Sequence, residues 1–130
     1  MKRVFKTRYF NRLMKSLDDN ALCAAVEEMM QGLIDADLGG YIVKKRVALP
    51  GRGKSGGART IVATKKRNRW FFVFGFAKNE KSNITVSELE RLQSFAADLL
   101  SLSDNSLDQA VREGKLVEIC DEQNCEDCKK

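Results

Sequence analysis

Residues 41–74, YIVKKRVALPGRGKSGGARTIVATKKRNRWFFVF, decide the fold because they predict three successive β-strands. Residues 41–49 alternate, which is typical of a half-buried strand with a basic outer surface. One face carries Tyr41, Val43, Val47 and Leu49, and the other carries Lys44 and Arg46. A second strand is predicted over residues 60–64. Residues 70–74 are apolar on both faces, which predicts a central strand. We therefore interpret the aromatic run at 70–76 as core rather than as a base-stacking platform.

The segment between the first two strands contains the only proline and four glycines, at positions 51, 53, 56 and 57. Its first part, residues 48–55, is close to a P-loop in which alanine replaces the first glycine. A P-loop leads into a helix whose N-terminus faces the phosphates. Here two glycines and a β-branched strand follow, so nucleotide hydrolysis is not predicted. Glycines still let backbone approach a ligand closely, and Arg52, Lys54 and Arg59 can surround one phosphodiester.

Helices are predicted on both sides of these strands. Apolar spacing indicates helices over residues 9–17 and 21–35, and a short strand at Arg3–Lys6 precedes them. Thr85 and Glu88 form a capping box that opens a third helix. Its apolar face carries Leu89, Leu92, Ala96 and Leu99. A fourth helix is predicted from Ser106 to Gly114, and residues 116–119 predict a last strand or a docking segment.

This order of elements predicts an α+β fold, a small and mostly antiparallel sheet with helices packed on it. At 130 residues the chain is long enough to bury a core without staples. We expect a single domain over residues 1–119 and a polar, cysteine-containing tail over residues 120–130. No apolar run approaches the roughly 20 residues of a membrane span, and the N-terminus is not typical of a signal peptide.

Positive charge is concentrated in the middle of the chain. Residues 44–81 hold twelve Lys and Arg and one acidic residue, a local charge of +11 against +5 for the whole chain. Residues 1–43 are neutral, and residues 82–130 carry −6. A concentrated positive field between neutral and acidic flanks indicates a polyanionic partner. The alternative is an ordinary solvated cationic surface, but glycines and aromatics are interleaved with the charge.

The cysteine and histidine content limits the chemistry. There is no histidine, so Ser-His-Asp sites, Cys-His sites and His-ligated metals are excluded. The four cysteines, Cys23, Cys120, Cys125 and Cys128, are not spread like a disulfide framework, which favours a reduced, cytoplasmic protein. Three tail thiolates with Cys23 or a carboxylate could complete a zinc site, and a small zinc-stabilised binding module is one alternative.

Two motifs carry a family resemblance: residues 53–59, GKSGGAR, and residues 75–84, GFAKNEKSNI. Together with the helical start and the ending at residues 114–118, they make residues 1–119 resemble the RelE/HigB group of type II toxins. The resemblance implies a toxin that enters the ribosomal A site and cuts mRNA without a metal or other cofactor. It also implies neutralisation by a cognate antitoxin, often a helix-turn-helix DNA-binding protein.

The resemblance also implies roles for individual residues. Arg59 matches the phosphate-stabilising arginine of the family, and Lys78 matches its second cationic position. Lys54 competes for a catalytic role with the basic strand residues. We expect RNA binding by the surrounding residues Lys44, Lys45, Arg46, Arg52, Asn79 and Lys81.

The chain departs from the family pattern at one point. Many relatives carry Tyr or His after the second cationic cluster, whereas the only tyrosines here are Tyr9 and Tyr41. The same fold also occurs in ParE-type toxins, which act on gyrase and cut no RNA. A noncatalytic nucleic-acid-binding protein or a gyrase inhibitor therefore remains the main alternative to a ribosome-dependent mRNA endonuclease.

Overall fold

The computed structural model describes residues 2–49, 53–77 and 83–120, with the backbone alone for residues 53–56. Within these ranges the elements are β1 (Arg3–Thr7), α1 (Arg8–Leu13), α2 (Asp19–Met30), β2 (Ala36–Gly39), β3 (Ile42–Leu49), β4 (Gly53–Lys65), β5 (Arg69–Ala77), α3 (Val86–Leu100), α4 (Asp104–Arg112) and β6 (Leu116–Ile119). None of these helices is long and apolar enough to cross a membrane.

The strands form one sheet in the order β2-β3-β4-β5-β1-β6. β1 and β5 run parallel, and the other neighbouring pairs are antiparallel. The predicted α+β class with a mostly antiparallel sheet is therefore confirmed. The strand predicted over residues 70–74 belongs to β5, which lies between β4 and β1 as expected of a central strand.

Helices cover both faces of the sheet, and each face has its own apolar core. α1 and α2 pack on one face, and α3 and α4 pack on the other. The first core includes Phe10, Leu22, Val26, Met29, Val43, Val47, Trp70 and Phe72, and the second includes Phe5, Ile42, Ile61, Phe71, Phe76, Ala96, Leu99 and Leu107.

The helices differ from the sequence predictions mainly at their ends. α1 ends at Leu13 rather than at residue 17, because the chain turns there and the N–H of Leu17 donates to the carbonyl of Met14. α2 begins after Asp18, whose carboxylate accepts from the N–H of Ala21 at 2.8 Å, and it ends at Met30 rather than at residue 35.

Both α3 and α4 are capped at their N-termini by a side-chain hydroxyl. The capping box is confirmed, since Thr85 and Glu88 exchange side-chain-to-backbone bonds of 3.1 and 2.8 Å. α4 begins earlier than predicted, because Ser103 rather than Ser106 is its cap. The N–H of Ser106 donates to the Ser103 hydroxyl at 3.1 Å.

The first part of the sheet also differs from the sequence prediction. β2 was not predicted. Tyr41 lies outside β3, in a left-handed conformation with φ of 66°. Ile42 is fully buried under α3, on the same face as Lys44 and Arg46. The basic face of β3 is therefore covered at one end and open only further along the strand.

An ion-pair cluster joins β1 to β6 and α4 at the other end of the sheet. Arg3 donates to Glu118 and to Asp108, each at 2.8 Å. Arg69 donates to Asp104, also at 2.8 Å. The hydrogen bond to Glu118, opposed by burial, leaves the pKa of Arg3 raised above its ordinary value. Carboxylates thus compensate the arginines here.

A disulfide joins Cys23 on α2 to Cys120, which follows β6. This pair corrects the expectation that all four cysteines are reduced. It also ties the first residue of the predicted tail to the domain. Cys125 and Cys128 lie outside the described residues.

Candidate functional site

Three strands bring two arginines and a phenylalanine into one row across the sheet. Arg46 on β3 lies opposite Arg59 on β4, and Arg59 lies opposite Phe76 on β5. Residues directly opposite each other share a face of the sheet. Because Phe76 belongs to the core under α3, the row lies on that face. We call Arg46, Arg59 and Phe76 the arginine row.

Arg59 is the cation of the row that is open to an anionic ligand. Its side chain is half-buried. Among the described residues, its guanidinium makes a single hydrogen bond, to the carbonyl of Gly57 at 3.5 Å, the limit of such a bond. In the part of the chain that the structure describes, Arg59 forms no salt bridge. A guanidinium has a planar set of donors that fits two oxygens of a phosphate. Arg59 is therefore suited to hold a phosphodiester against the sheet.

The other cations of this face are held differently. Arg46 bonds Asp35 through Nε at 3.0 Å, and its backbone N–H bonds the same carboxylate at 2.6 Å. Asp35 therefore compensates Arg46 and fixes its position beside Arg59. Lys44 lies opposite Ile61 on the same face and is half-buried. It adds a positive charge two residues along β3 from the row.

Close approach of β3 and β4 fixes the position of Arg59. Gly57 is buried two residues before it, and a Cβ at Gly57 would lie 2.2 Å from the carbonyl oxygen of Val47 and 3.0 Å from Cα of Ala48. Both atoms are backbone, so they cannot move aside as a side chain can. The sequence predicted that glycines in this segment let backbone approach a ligand, whereas the close approach that the structure shows at Gly57 is to β3.

Lys45, which sequence reasoning grouped with the RNA-binding cations, lies on the opposite face of the sheet. It is only 4% exposed. Its ammonium group pairs with Glu28 at 2.8 Å and donates to the carbonyl of Leu33 at 2.8 Å. Lys45 therefore connects β3 to α2 and the segment after it.

Several residues expected at the site lie outside the described residues. These are Arg52, Lys78, Asn79 and Lys81. Lys54 belongs to β4, but its side chain is not described. The last described residue of β5 is Ala77, which lies opposite Ala58, and Arg59 is the next residue of β4. Lys78 follows Ala77 directly in sequence.

The aromatic run is mainly core, as interpreted from the sequence. Residues 70–73 and Phe76 are buried, whereas Phe74 is partly exposed. The ring of Phe74 stacks with Tyr9 of α1, with centroids 6.3 Å apart and planes within 4°. Sequence reasoning did not place Tyr9 at this surface. The available signal was its position among exposed basic residues of α1, namely Arg8 and Arg12.

The cysteines give no metal site within the described residues, where no three His, Cys, Asp or Glu side chains form a cluster that could hold an ion. Cys23 and Cys120 are bonded to each other. The other two cysteines of the zinc alternative lie outside the described ranges.

A comparison of the chain with known protein families finds a match. A family model described as the RelE toxin of the RelE / RelB toxin-antitoxin system matches residues 2–119. This range includes every element from β1 to β6. No curated protein matches the chain significantly.

Proposed function

The chain belongs to the RelE toxin family, and from this premise we propose that it is an endonuclease that cuts mRNA on the ribosome. Family membership makes it the toxin of a toxin–antitoxin pair, so an antitoxin is its partner. The observation that carries the proposal is Arg59, a half-buried guanidinium in a row with Arg46, with no salt bridge among the described residues.

The proposed chemistry needs no nucleophile from the protein. The ribose 2′-OH attacks the adjacent phosphorus, the bond to the 5′-oxygen breaks, and a cyclic 2′,3′-phosphate and a 5′-hydroxyl result. Negative charge develops on the phosphoryl oxygens, and Arg59 is positioned to stabilise it. The 2′ proton passes to a base and the leaving oxygen receives a proton from an acid. We assign these transfers to lysines. The candidates are Lys44, which lies on the face of the row, and Lys54 and Lys78, which the two sequence motifs contain.

We propose that the ribosome orders the substrate. The chain has no histidine, and its tyrosines do not stand at the position where many relatives carry Tyr or His. Positioning the 2′-OH in line with the leaving oxygen is therefore a large part of the catalytic effect. mRNA in the A site supplies that order, so free RNA should be cut poorly. The antitoxin, which we expect to be a helix-turn-helix DNA-binding protein, would block the basic surface or entry to the ribosome.

The test is substitution of Arg59 and Lys78, each by alanine, with Arg112→Ala as the matched control. Arg112 is an exposed arginine at the end of α4, and within the described part of the chain its side chain bonds only the Gln109 side chain. Arg59→Ala and Lys78→Ala should each lower the rate of mRNA cleavage in a translation extract by roughly 10²-fold, as for loss of one oxyanion donor. Association with ribosomes should change much less, because the remaining cations supply the long-range field.

Two outcomes would overturn the proposal. If both variants cut mRNA at the parent rate, these residues dock the protein and do not act in catalysis. If the parent arrests growth while neither it nor any variant cuts mRNA, a gyrase inhibitor or a noncatalytic nucleic-acid-binding protein replaces the endonuclease.

A further inference from the structure

A groove of about 530 Å³ is lined by residues of α1, of the second half of β5 and of α3. We call it the α1–α3 groove. Its walls carry four cations, Arg8, Arg12, Arg91 and Lys115, and the stacked rings of Tyr9 and Phe74. Neither the sequence motifs nor the arginine row includes these residues, apart from Phe74 in the aromatic run.

Three of the four cations of the groove are not compensated within the described residues. All four cations are exposed, and no acidic side chain is among the described residues that line the groove. Lys115 pairs with Glu113 at 3.2 Å, whereas Arg8, Arg12 and Arg91 form no salt bridge among the described residues. By contrast, Arg3 and Arg69 face three carboxylates at the other end of the sheet. Clustered like charges repel, so an anion bound here removes an unfavourable interaction.

The groove also exposes aromatic surface. Tyr9 is 52% exposed although one face of its ring rests on Phe74. Phe95 of α3, on the opposite wall, is 42% exposed. Exposed rings between cations are the usual combination for single-stranded nucleic acid, whose bases stack on the rings while the phosphates contact the cations. An acidic peptide satisfies the cations, but its carboxylate side chains do not stack on the rings, whereas every nucleotide carries a base that can.

Position links the groove to the arginine row. Phe74 and Phe76 are two residues apart on β5, about 7 Å at a rise of roughly 3.4 Å per residue. Their rings lie 6.0 Å apart, and Phe76 is directly opposite Arg59. An RNA strand whose phosphate is bound at Arg59 can therefore place a neighbouring nucleotide in the groove.

We propose that the α1–α3 groove binds an unpaired base and flanking phosphates of the RNA strand that is cut at Arg59. Tyr9 provides the stacking surface, and Arg8, Arg12 and Arg91 contact the phosphates. The identity of the strand rests on the proposed function, whereas binding of single-stranded RNA in the groove does not require cleavage.

The experiment measures binding without cleavage. A labelled RNA oligonucleotide of about ten nucleotides, within the range of single-strand binding sites, carries 2′-deoxy sugars so that it cannot be cut. Its affinity for the purified protein is measured by fluorescence anisotropy over a range of salt concentrations. Tyr9→Leu should weaken binding about tenfold, and Tyr9→Phe should keep the parent affinity, because the ring and not the hydroxyl stacks.

A charge variant tests the phosphate contacts. Arg8→Gln combined with Arg12→Gln should lower the salt slope of binding by about 1.4, since each single-strand phosphate contact contributes about 0.7. Arg112→Gln, which lines neither site, should leave affinity and slope near the parent values. Melting curves verify that the exposed positions 8, 9 and 12 do not affect folding.

The outcomes separate this inference from the proposed function. Parent-like RNA binding by Tyr9→Leu and by the double arginine variant would overturn the groove assignment, whatever Arg59→Ala does to cleavage. Equal competition by poly-glutamate or duplex RNA of matched charge would also overturn it, because neither offers an unpaired base. If no variant or parent cuts mRNA but binding still depends on Tyr9, the groove assignment holds and the endonuclease proposal fails.

Discussion

The position of Arg59 depends on the residue two places before it. A Cβ on Gly57 meets backbone of β3 at 2.2 Å, so Gly57→Ala must push β3 and β4 apart. We expect a loss of about 1–3 kcal/mol in the free energy of unfolding, as for other overpacked sites. We also expect a loss of cleavage beyond what the unfolded fraction explains. Urea denaturation and the translation-extract assay measure the two effects.

Gly75→Ala is the matched control for Gly57→Ala. A Cβ at Gly75 meets Cγ of Met14 at 3.0 Å, and a flexible Met side chain can move. Its nearest backbone contact is the carbonyl of Arg59, at 3.3 Å. This variant should therefore lose less stability. A larger loss for Gly75→Ala than for Gly57→Ala would contradict the argument.

Two adjacent lysines of β3 provide a second test at the residue scale. Lys45→Ala removes a buried ammonium that bonds Glu28 and the carbonyl of Leu33, so stability should fall by about 2–3 kcal/mol. Lys44→Ala removes the same charge from the open face and should leave the midpoint of unfolding nearly unchanged. RNA affinity should show the opposite order. Equal effects of the two variants on both measurements would show that the faces are not distinguished in this way.

Part of the candidate site could be predicted from the sequence. Alternation placed Lys44 and Arg46 on one face, and the glycine-rich motif singled out Arg59. Lys45 was grouped with its neighbours because three consecutive cations give no sign of which one is buried. Only the contact of Lys45 with α2 shows that Lys45 is the buried one, and the residues in this contact are far apart in sequence. Tyr9 was missed for the same reason, since its neighbour Phe74 is far away in the chain.

At the scale of elements, the N-terminus of α3 carries a specific stabilising interaction. Thr85→Ala removes the acceptor for the N–H of Glu88 and half of the capping box, so about 1 kcal/mol of stability should be lost. α3 supplies Arg91 and Phe95 to the groove, so RNA binding should weaken slightly as the helix frays. Thr85→Ser, which keeps the hydroxyl, is the control. Calorimetric melting compares the three proteins, and an unchanged melting temperature for Thr85→Ala would contradict the cap.

The elements themselves were predictable where the signal was local. The capping box at Thr85 and the apolar β5 are local, and both were found. The start of α4 was misplaced because Ser106 and Gln109 match the capping-box pattern, whereas Ser103 caps the helix without that partner. β2 has only four residues, which is too short for its alternation to predict a strand. It forms because β3 offers a pairing edge, with the N–H of Asp35 bonded to the carbonyl of Lys44 just before it.

At the scale of the whole molecule, the disulfide closes most of the chain into a loop. Cys23 and Cys120 are 97 residues apart in sequence. In the chain-entropy account, a bond that closes so long a loop restricts the unfolded chain strongly, so reduction should cost about 2–5 kcal/mol of stability. Urea denaturation with and without reductant measures this loss.

Cys23→Ser should reproduce the effect of reductant, and Cys125→Ser should not. A nonreducing digest of the parent should contain one peptide pair that joins residues 23 and 120. Identical unfolding midpoints with and without reductant would show that the disulfide does not stabilise the fold.

The order of strands in the sheet has a consequence for folding during synthesis. β1 is made first, yet its two partners, β5 and β6, are made much later. A nascent chain therefore cannot pair β1 with β5 until β5 has emerged, and it cannot add the edge strand β6 until residues up to 119 have emerged. Pairing across such separations is slow. If the toxin acts on ribosomes as proposed, a molecule cannot act before residues up to 119 have left the ribosome that synthesises it. The same delay gives the antitoxin time to meet its target during or soon after synthesis.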